Sequence, residues 1–316
     1  MKRIVALILL LSIFLTSCQV KEPLRSYSEA IERTEAVDQG QSFISIEVEN
    51  TYREGKEIDF GDQLQFQIYS QYDFTDSKNE QLETHSYIDV GDLGMDFSFY
   101  LKGNDIFIKL PFDENYLIIH DNTMNQEVAT MQDEEIFTII FQPFMEKWLE
   151  VLQEENVVRG EKTIMTTEDG DVKATKYTIQ LNEEQLQTLV TVLSSILKSN
   201  SELILSTVNN YAEFVLTEEE FIQLIDDLKS ELLKSDMSIT AMSYINADGF
   251  VIDTSIEYTV LYENAEMPLK SQVYTIRMEQ WDIYNEQDFN FPELTDDNSL
   301  SMDEFQKETK CFIEER

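Results

Sequence analysis

Apolar and polar residues alternate with period two over most of this chain, and the period turns helical in a few places. Ile44, Ile46 and Val48 alternate with Ser45, Glu47 and Glu49. Leu64, Phe66 and Ile68 alternate with Gln63, Gln65 and Gln67, and Met95, Phe97, Phe99 and Leu101 with Asp96, Ser98 and Tyr100. Such strands have one oily and one wet side, which is the pattern of an antiparallel sheet covered on one face only. Gly103-Asn104 ahead of Ile106, Ile108 and Leu110 predicts a hairpin turn. Further strands are expected over 116–120, 157–166 and 172–181, the last two joined through Asp169-Gly170-Asp171. Ile239, Ala241, Ser243 and Ile245 lead through Asn246-Ala247-Asp248-Gly249 into Phe250, Ile252, Thr254, Ile256, Tyr258, Val260 and Tyr262, all expected on one face. Tyr274, Ile276 and Met278 predict one more long strand.

The helical stretches carry their own signals. Ser26 or Ser28 is a candidate cap for a helix running to about Val37. Ile136, Ile140, Phe144, Trp148 and Leu152 recur at helical spacing between Glu134 and Glu154, and Pro143 inside that run predicts a kink or two shorter helices. Asn182-Glu-Glu-Gln185 and Thr217-Glu-Glu-Glu220 are both capping boxes, in which cap and third residue satisfy each other's backbone N–H. Leu186, Leu189, Val190, Leu193 and Leu197 line the first of these helices; Phe221, Leu224, Ile225, Leu228 and Leu232 line the second.

Composition adds that there is a real core, with 42% hydrophobic residues, 19 Phe and 14 Tyr against only 9 Gly and 5 Pro. No Pro-, Gly- or Ser-rich linker divides the chain, so one architecture is expected over residues 26–292, followed by a loose acidic tail over 293–316. The formal net charge of −39 makes the protein a strong polyanion, which excludes nucleic acid as a partner. A basic protein or a cell-wall component remains a possible partner for so acidic a surface.

The N-terminus changes the picture most. Lys2-Arg3 precede an apolar or hydroxyl run, Ile4 to Leu15, of about a dozen residues, short of the ~20 that span a bilayer. Leu15-Thr16-Ser17-Cys18 then resembles the lipobox of bacterial lipoproteins. That resemblance implies a signal peptide over 1–17, diacylglycerol on Cys18, a tether over 18–25, and residence outside the cytoplasm on the outer face of the cell membrane. Two acyl chains hold a protein to a bilayer stably, where one does not. Cys311 is then left without an intramolecular partner.

The order of elements resembles a second, structural family. A lipobox, a helix containing Tyr27-Ser28-Glu29-Ala30, a meander of long amphipathic strands, central helices and a second meander are similar to lipoproteins of the LolA/LppX–LprG-like fold, and most to the uncharacterised Gram-positive lipoproteins of that plan. The resemblance implies an α+β fold: a strongly curved antiparallel sheet, a half-barrel, with helices packed on its concave face. It also implies a groove for a lipid or lipidated ligand and no catalysis.

Catalytic and metal motifs are missing. His85 and His120 have no partners at ligand spacing, so a multi-His or Cys zinc site has too few donors, and no other metal site is expected. Asp121 to Asn125 begins like a calcium loop but lacks its glycine and final glutamate. Gly-x-Ser-x-Gly, Walker and dinucleotide motifs are absent, and acidic pairs are too common to single out a glycosidase couple. The expected function is a non-enzymatic, membrane-anchored lipoprotein with no cofactor beyond its own lipid. Phe141, Phe144 and Trp148 are the candidate residues lining its groove. The alternative is a tethered acidic interaction module with no small-molecule ligand.

Overall fold

The computed structural model describes residues 22–301, apart from 56–62, 92, 112–114, 121–129, 169, 206–215, 265 and 296, together with 304–305. Cys18, the signal segment, Asp121–Asn125 and Cys311 lie outside the described residues. So do the side chains of His120, of 130–138 and of Phe141.

Period-two patterning produces two meanders. The first comprises β1 (Gln39–Tyr52), β2 (Gln63–Asp73), β3 (Gln81–Val90), β4 (Leu93–Lys102), β5 (Asp105–Lys109) and β6 (Tyr116–His120). The second comprises β7 (Val157–Thr167), β8 (Gly170–Gln180), β9 (Asp236–Asn246), β10 (Val251–Leu261) and β11 (Leu269–Trp281). They fuse where β1 pairs antiparallel with β11, from Gln41 opposite Trp281 to Tyr52 opposite Leu269. With β12 (Ser299–Ser301) the result is one twelve-stranded sheet in the order β12-β6-β5-β4-β3-β2-β1-β11-β10-β9-β8-β7. Pairing is antiparallel except between β12 and β6. Strand twist accumulates, and an open sheet of this size curls rather than lying flat. The sheet is a curved, unclosed half-barrel whose edges are β7 and β12.

The helices are α1 (Pro23–Glu35), α2 (Thr130–Val151), α3 (Glu183–Ser199) and α4 (Glu218–Leu232), with a further helical turn over 201–205. Both expected capping boxes form: Asn182 with Gln185, and Thr217 with Glu220. Helix α1 starts earlier than the serines suggest. Pro23 occupies its first turn, where a missing N–H costs nothing, and no side chain caps it. Residues 23–25, expected in the tether, are therefore the first turn of α1. Pro143 sits inside α2, which is assigned as one helix rather than two.

Tyr27 and Ala30 of α1, Trp148 of α2, Leu152 just after it, and Leu189 of α3 pack on Val157, Tyr177, Ile179, Ala241, Ile245 and Val251 of β7 to β10. This core holds Ile179 and Ala241 at 1% exposure. A second cluster joins Leu186 to Met237, Val260 and Tyr262. Between these, Asn156 and Gln185 are buried and fully engaged. Gln185 donates to the carbonyl of Val151 and to Asn156 Oδ1, and accepts from Asn182 N and Asn156 Nδ2. That amide pair rivets the end of α2, the exit of β8 and the start of α3 together.

Three expectations are corrected. In α4 only part of the five-residue apolar stripe packs: Ile225 is buried and Leu232 sits against the second cluster, while Leu224 and Leu228 are 55% and 50% exposed. In β10 a bulge lies between Val251 and Asp253, which takes Phe250 and Ile252 out of line with Thr254 and Ile256. The segment after Pro292 is not wholly loose, since β12 pairs with β6 there.

The chain leaving β11 forms a strap across the outer face of the first meander. Tyr284 N donates to Gln39 O, and Gln41 Nε2 donates to Gln287. Asn290 N donates to Glu83 Oε2 of β3, Phe291 packs by Tyr100 of β4, and Tyr116 N of β6 donates to Asn298 O. Asp282 and Tyr284 take positive φ (51° and 61°) to make the turn into this strap.

Candidate functional site

Residues paired across antiparallel strands share a face, so the register assigns every side chain to the inner or the outer surface. One inner ladder runs Ile179, Ala241, Ile256, Ile276, Ile46, Phe66, Ile88, Met95 through β8, β9, β10, β11, β1, β2, β3 and β4. The next rung from β1 outward is Ile44, Ile68, Ser86 and Phe97. From β9 to β6 none of the regularly paired inner positions carries Asp, Glu, Lys, Arg or His. Their charges all point outward: Glu47, Glu83, His85, Asp89, Asp96, Lys102, Lys109, Asp253, Glu257, Arg277 and Glu279 among them. In a chain with 62 acidic residues, so clean a separation defines a distinct surface.

Helical cover is uneven over that surface. The two buried clusters draw their sheet residues from β7 to β11, and none from β1 to β6. On β1 to β4 the inner residues Ile44, Ile46, Phe66, Ile68, Ile88, Met95, Phe97 and Phe99 are half-buried. Leu64 and Leu93, at the end of the same face, are 38% and 54% exposed. The inner face thus continues as an apolar trough past the described helical cover.

The candidate aromatic residues fall on the covered side. Trp148 is 7% exposed within the main core, and Phe144 packs against that core. The side chain of Phe141 lies outside the described residues. Trp281 points outward, where its indole donates to Gln41 Oε1. The trough residues on β1, β2 and β4 were legible as apolar strand faces, those on β3 were not, and only the register brings them together.

One end of the trough is polar without being charged. Asn50 of β1 and Gln272 of β11 are opposite each other, and Gln272 Nε2 donates to Asn50 Oδ1 at 2.8 Å. Tyr274 Oη donates to Gln272 Oε1 at 3.2 Å, and Tyr262 Oη donates to the same oxygen. Tyr258 lies opposite Tyr274 with ring centroids 5.7 Å apart. Its hydroxyl donates to the thioether of Met237, a weak acceptor. Burial pushes the phenols of Tyr258 and Tyr262 up to about 12, so both are neutral donors at ordinary pH.

Two surface hollows lie at the rims. One, of about 360 Å³, is bordered by Glu231, Lys234, Glu263 and Asn264 beside the polar end. The other, of about 160 Å³, lies at the opposite rim among Thr167, Asn246, Asp248, Phe250 and Gln280. Neither includes the apolar rows of β1 to β4.

On the outer face of β3 His85 is exposed. It bridges Ser98 and Glu83. Among the described residues no group of three or more His, Cys, Asp or Glu could hold a metal ion. No described helix is long and apolar enough to cross a membrane.

No protein-family model and no curated protein matches the chain. Similar solved structures include LprF from Mycobacterium bovis, 8% identical over 86% of this chain and 98% of that one, with a TM-score of 0.36. A DUF1329 family protein from Desulfovibrio piger is 8% identical over 84% and 96%, at 0.20. A β-barrel-like DUF1849 protein from Brucella abortus is 11% identical over 79% and 100%, at 0.19.

Proposed function

We propose that this protein is an extracytoplasmic lipoprotein, moored through diacylglycerol on Cys18, that receives the hydrocarbon of a lipid or lipidated ligand in its inner trough and performs no chemistry on it. The observation that carries this reading is the charge-free inner face continuing over β1 to β4 beyond the described helices. An acyl chain laid along it replaces water on both surfaces. Each methylene so buried contributes ~0.8 kcal/mol, so about ten methylenes offer ~8 kcal/mol before the cost of association. The lipobox pattern at Leu15–Cys18 supports the anchor, and α1 starting at Pro23 leaves a short leash between lipid and fold.

Native mass spectrometry of the purified lipidated protein, followed by solvent extraction, tests the ligand. Co-purified lipid, or uptake of a fluorescent fatty-acid probe, is expected. A protein that carries no lipid and takes up no probe refutes the carrier reading. For the anchor, Cys18→Ser is expected to move the protein from the membrane to the soluble fraction of cells. Equal membrane retention of that variant refutes the lipidation.

A further inference from the structure

We propose that the polar end of the trough is a headgroup site selecting an uncharged, hydroxyl-bearing amphiphile over an anionic phospholipid, a specificity that rests on the carrier reading above. The site is Asn50, Tyr258, Gln272 and Tyr274, side by side on the inner face where the helical cover gives way to the trough. Register fixes the adjacency. Tyr274 is opposite Val48, and Val48 is opposite Leu64 of the exposed apolar lip. Val48 itself is buried at 8% exposure, so it is a chain lying over exposed Leu64, two strands or about 10 Å away, that brings its polar end toward the amide–phenol cluster.

The chemistry of the cluster is that of hydroxyl and ester recognition. It offers two carboxamides and phenol donors, with no ammonium or guanidinium among its members. The Tyr258 hydroxyl, now given to a sulfur, gains a better acceptor when a ligand oxygen arrives. A phosphate placed here loses water and meets no cation at the paired inner positions of β1, β2, β10 and β11, a burial that costs heavily. The described cations at this rim lie off the cluster: Arg53 Nη2 donates to the carbonyls of Tyr262 and Asn264 while its Nε is buried without a partner, Lys234 shares its hollow with Glu231 and Glu263, and Lys270 is exposed. Among the described residues Arg53 is therefore the one nearby group that favours an anion, and the selectivity requires that its charge stay outside the cluster. The net charge of −39 opposes anionic lipid further.

The test compares two fluorescent probes with identical acyl chains, a diacylglycerol and a phosphatidylglycerol, titrated against the lipidated protein at low salt. Diacylglycerol is expected to bind at least about tenfold tighter, a difference of ~1.4 kcal/mol. Tyr258→Phe and Gln272→Leu, each shown by circular dichroism to be folded, are expected to narrow that ratio while leaving phosphatidylglycerol binding unchanged. Equal or tighter binding of phosphatidylglycerol overturns the headgroup assignment and leaves the carrier reading standing. A ratio that survives in both variants overturns the residue assignment. Failure of both probes to bind overturns the carrier reading itself.

Discussion

Replacing Gln185 with leucine tests whether the buried amide pair holds the helices to the sheet. Gln185 is 7% exposed and Asn156 8%. In Gln185→Leu the Val151 carbonyl and the Asn182 N–H both lose the side-chain partner they have in the parent. Asn156 keeps Gln153 N and Gln180 O but loses its two bonds to the glutamine. A buried group left unsatisfied costs about 1–3 kcal/mol, and each lost amide bond about 1 kcal/mol. The apolar gain of leucine offsets part of this, so a net loss of about 3 kcal/mol is expected. That is a large share of the ~5–15 kcal/mol that holds a typical domain folded. Urea unfolding measures it, with Gln223→Leu as the control. Gln223 is exposed on α4 and its side chain donates to its helical neighbour Asp227, so the control should stay within about 0.5 kcal/mol of the parent. A double-mutant cycle with Asn156→Ala should show strong coupling. If Gln185→Leu matched the control, or the cycle were additive, the rivet would be dispensable and the reasoning wrong.

Three further outcomes are expected. Ser86→Asp places a carboxylate in the middle of the inner face without removing an apolar side chain. It should cut fatty-acid probe affinity by at least about tenfold, whereas outward-facing Gln65→Asp should not. In α4, Ile225→Ala should cost ~2–4 kcal/mol and Leu224→Ala about 0.5 kcal/mol or less, since only the first is buried; equal costs in denaturant melts would contradict the helix orientation. Tyr258 and Tyr262 keep their protons to about pH 12 when folded but ionise near 10 when unfolded. Between those values the unfolded chain binds fewer protons, so stability should fall as pH rises from about 10 to 12. Phenolate absorbance showing every tyrosine ionising near 10 in the folded protein would count against this.

The long strands were readable because each keeps one face apolar for several rungs. Strand β3 escaped because its inner face has Thr84 and Ser86 in the middle of Leu82, Ile88 and Val90, which blurs the alternation. The capping boxes were readable because their signal is local. The stripe of α4 misled in part because Leu224 and Leu228 satisfy helical spacing yet are exposed, and spacing records a face but not what covers it. The junction of β1 with β11 joins residues more than two hundred positions apart and has no local signature. The trough depends on that junction. Phe144 and Trp148 were visible as an aromatic stripe, yet their place in the core was decided by which strands α2 lies on.

The strap gives the uncovered half of the sheet its reinforcement from behind. Glu83, Tyr100 and Phe107, all on the outer side of β3 to β5, are as buried as core residues, and Asn290 and Phe291 of the strap dock on the first two. Bracing on the convex side stiffens β1 to β6 through contacts that, among the described residues, do not draw on the inner face. A shell supported by an external rib takes its rigidity from outside, so the fold of this half need not depend on what lies on its inner surface.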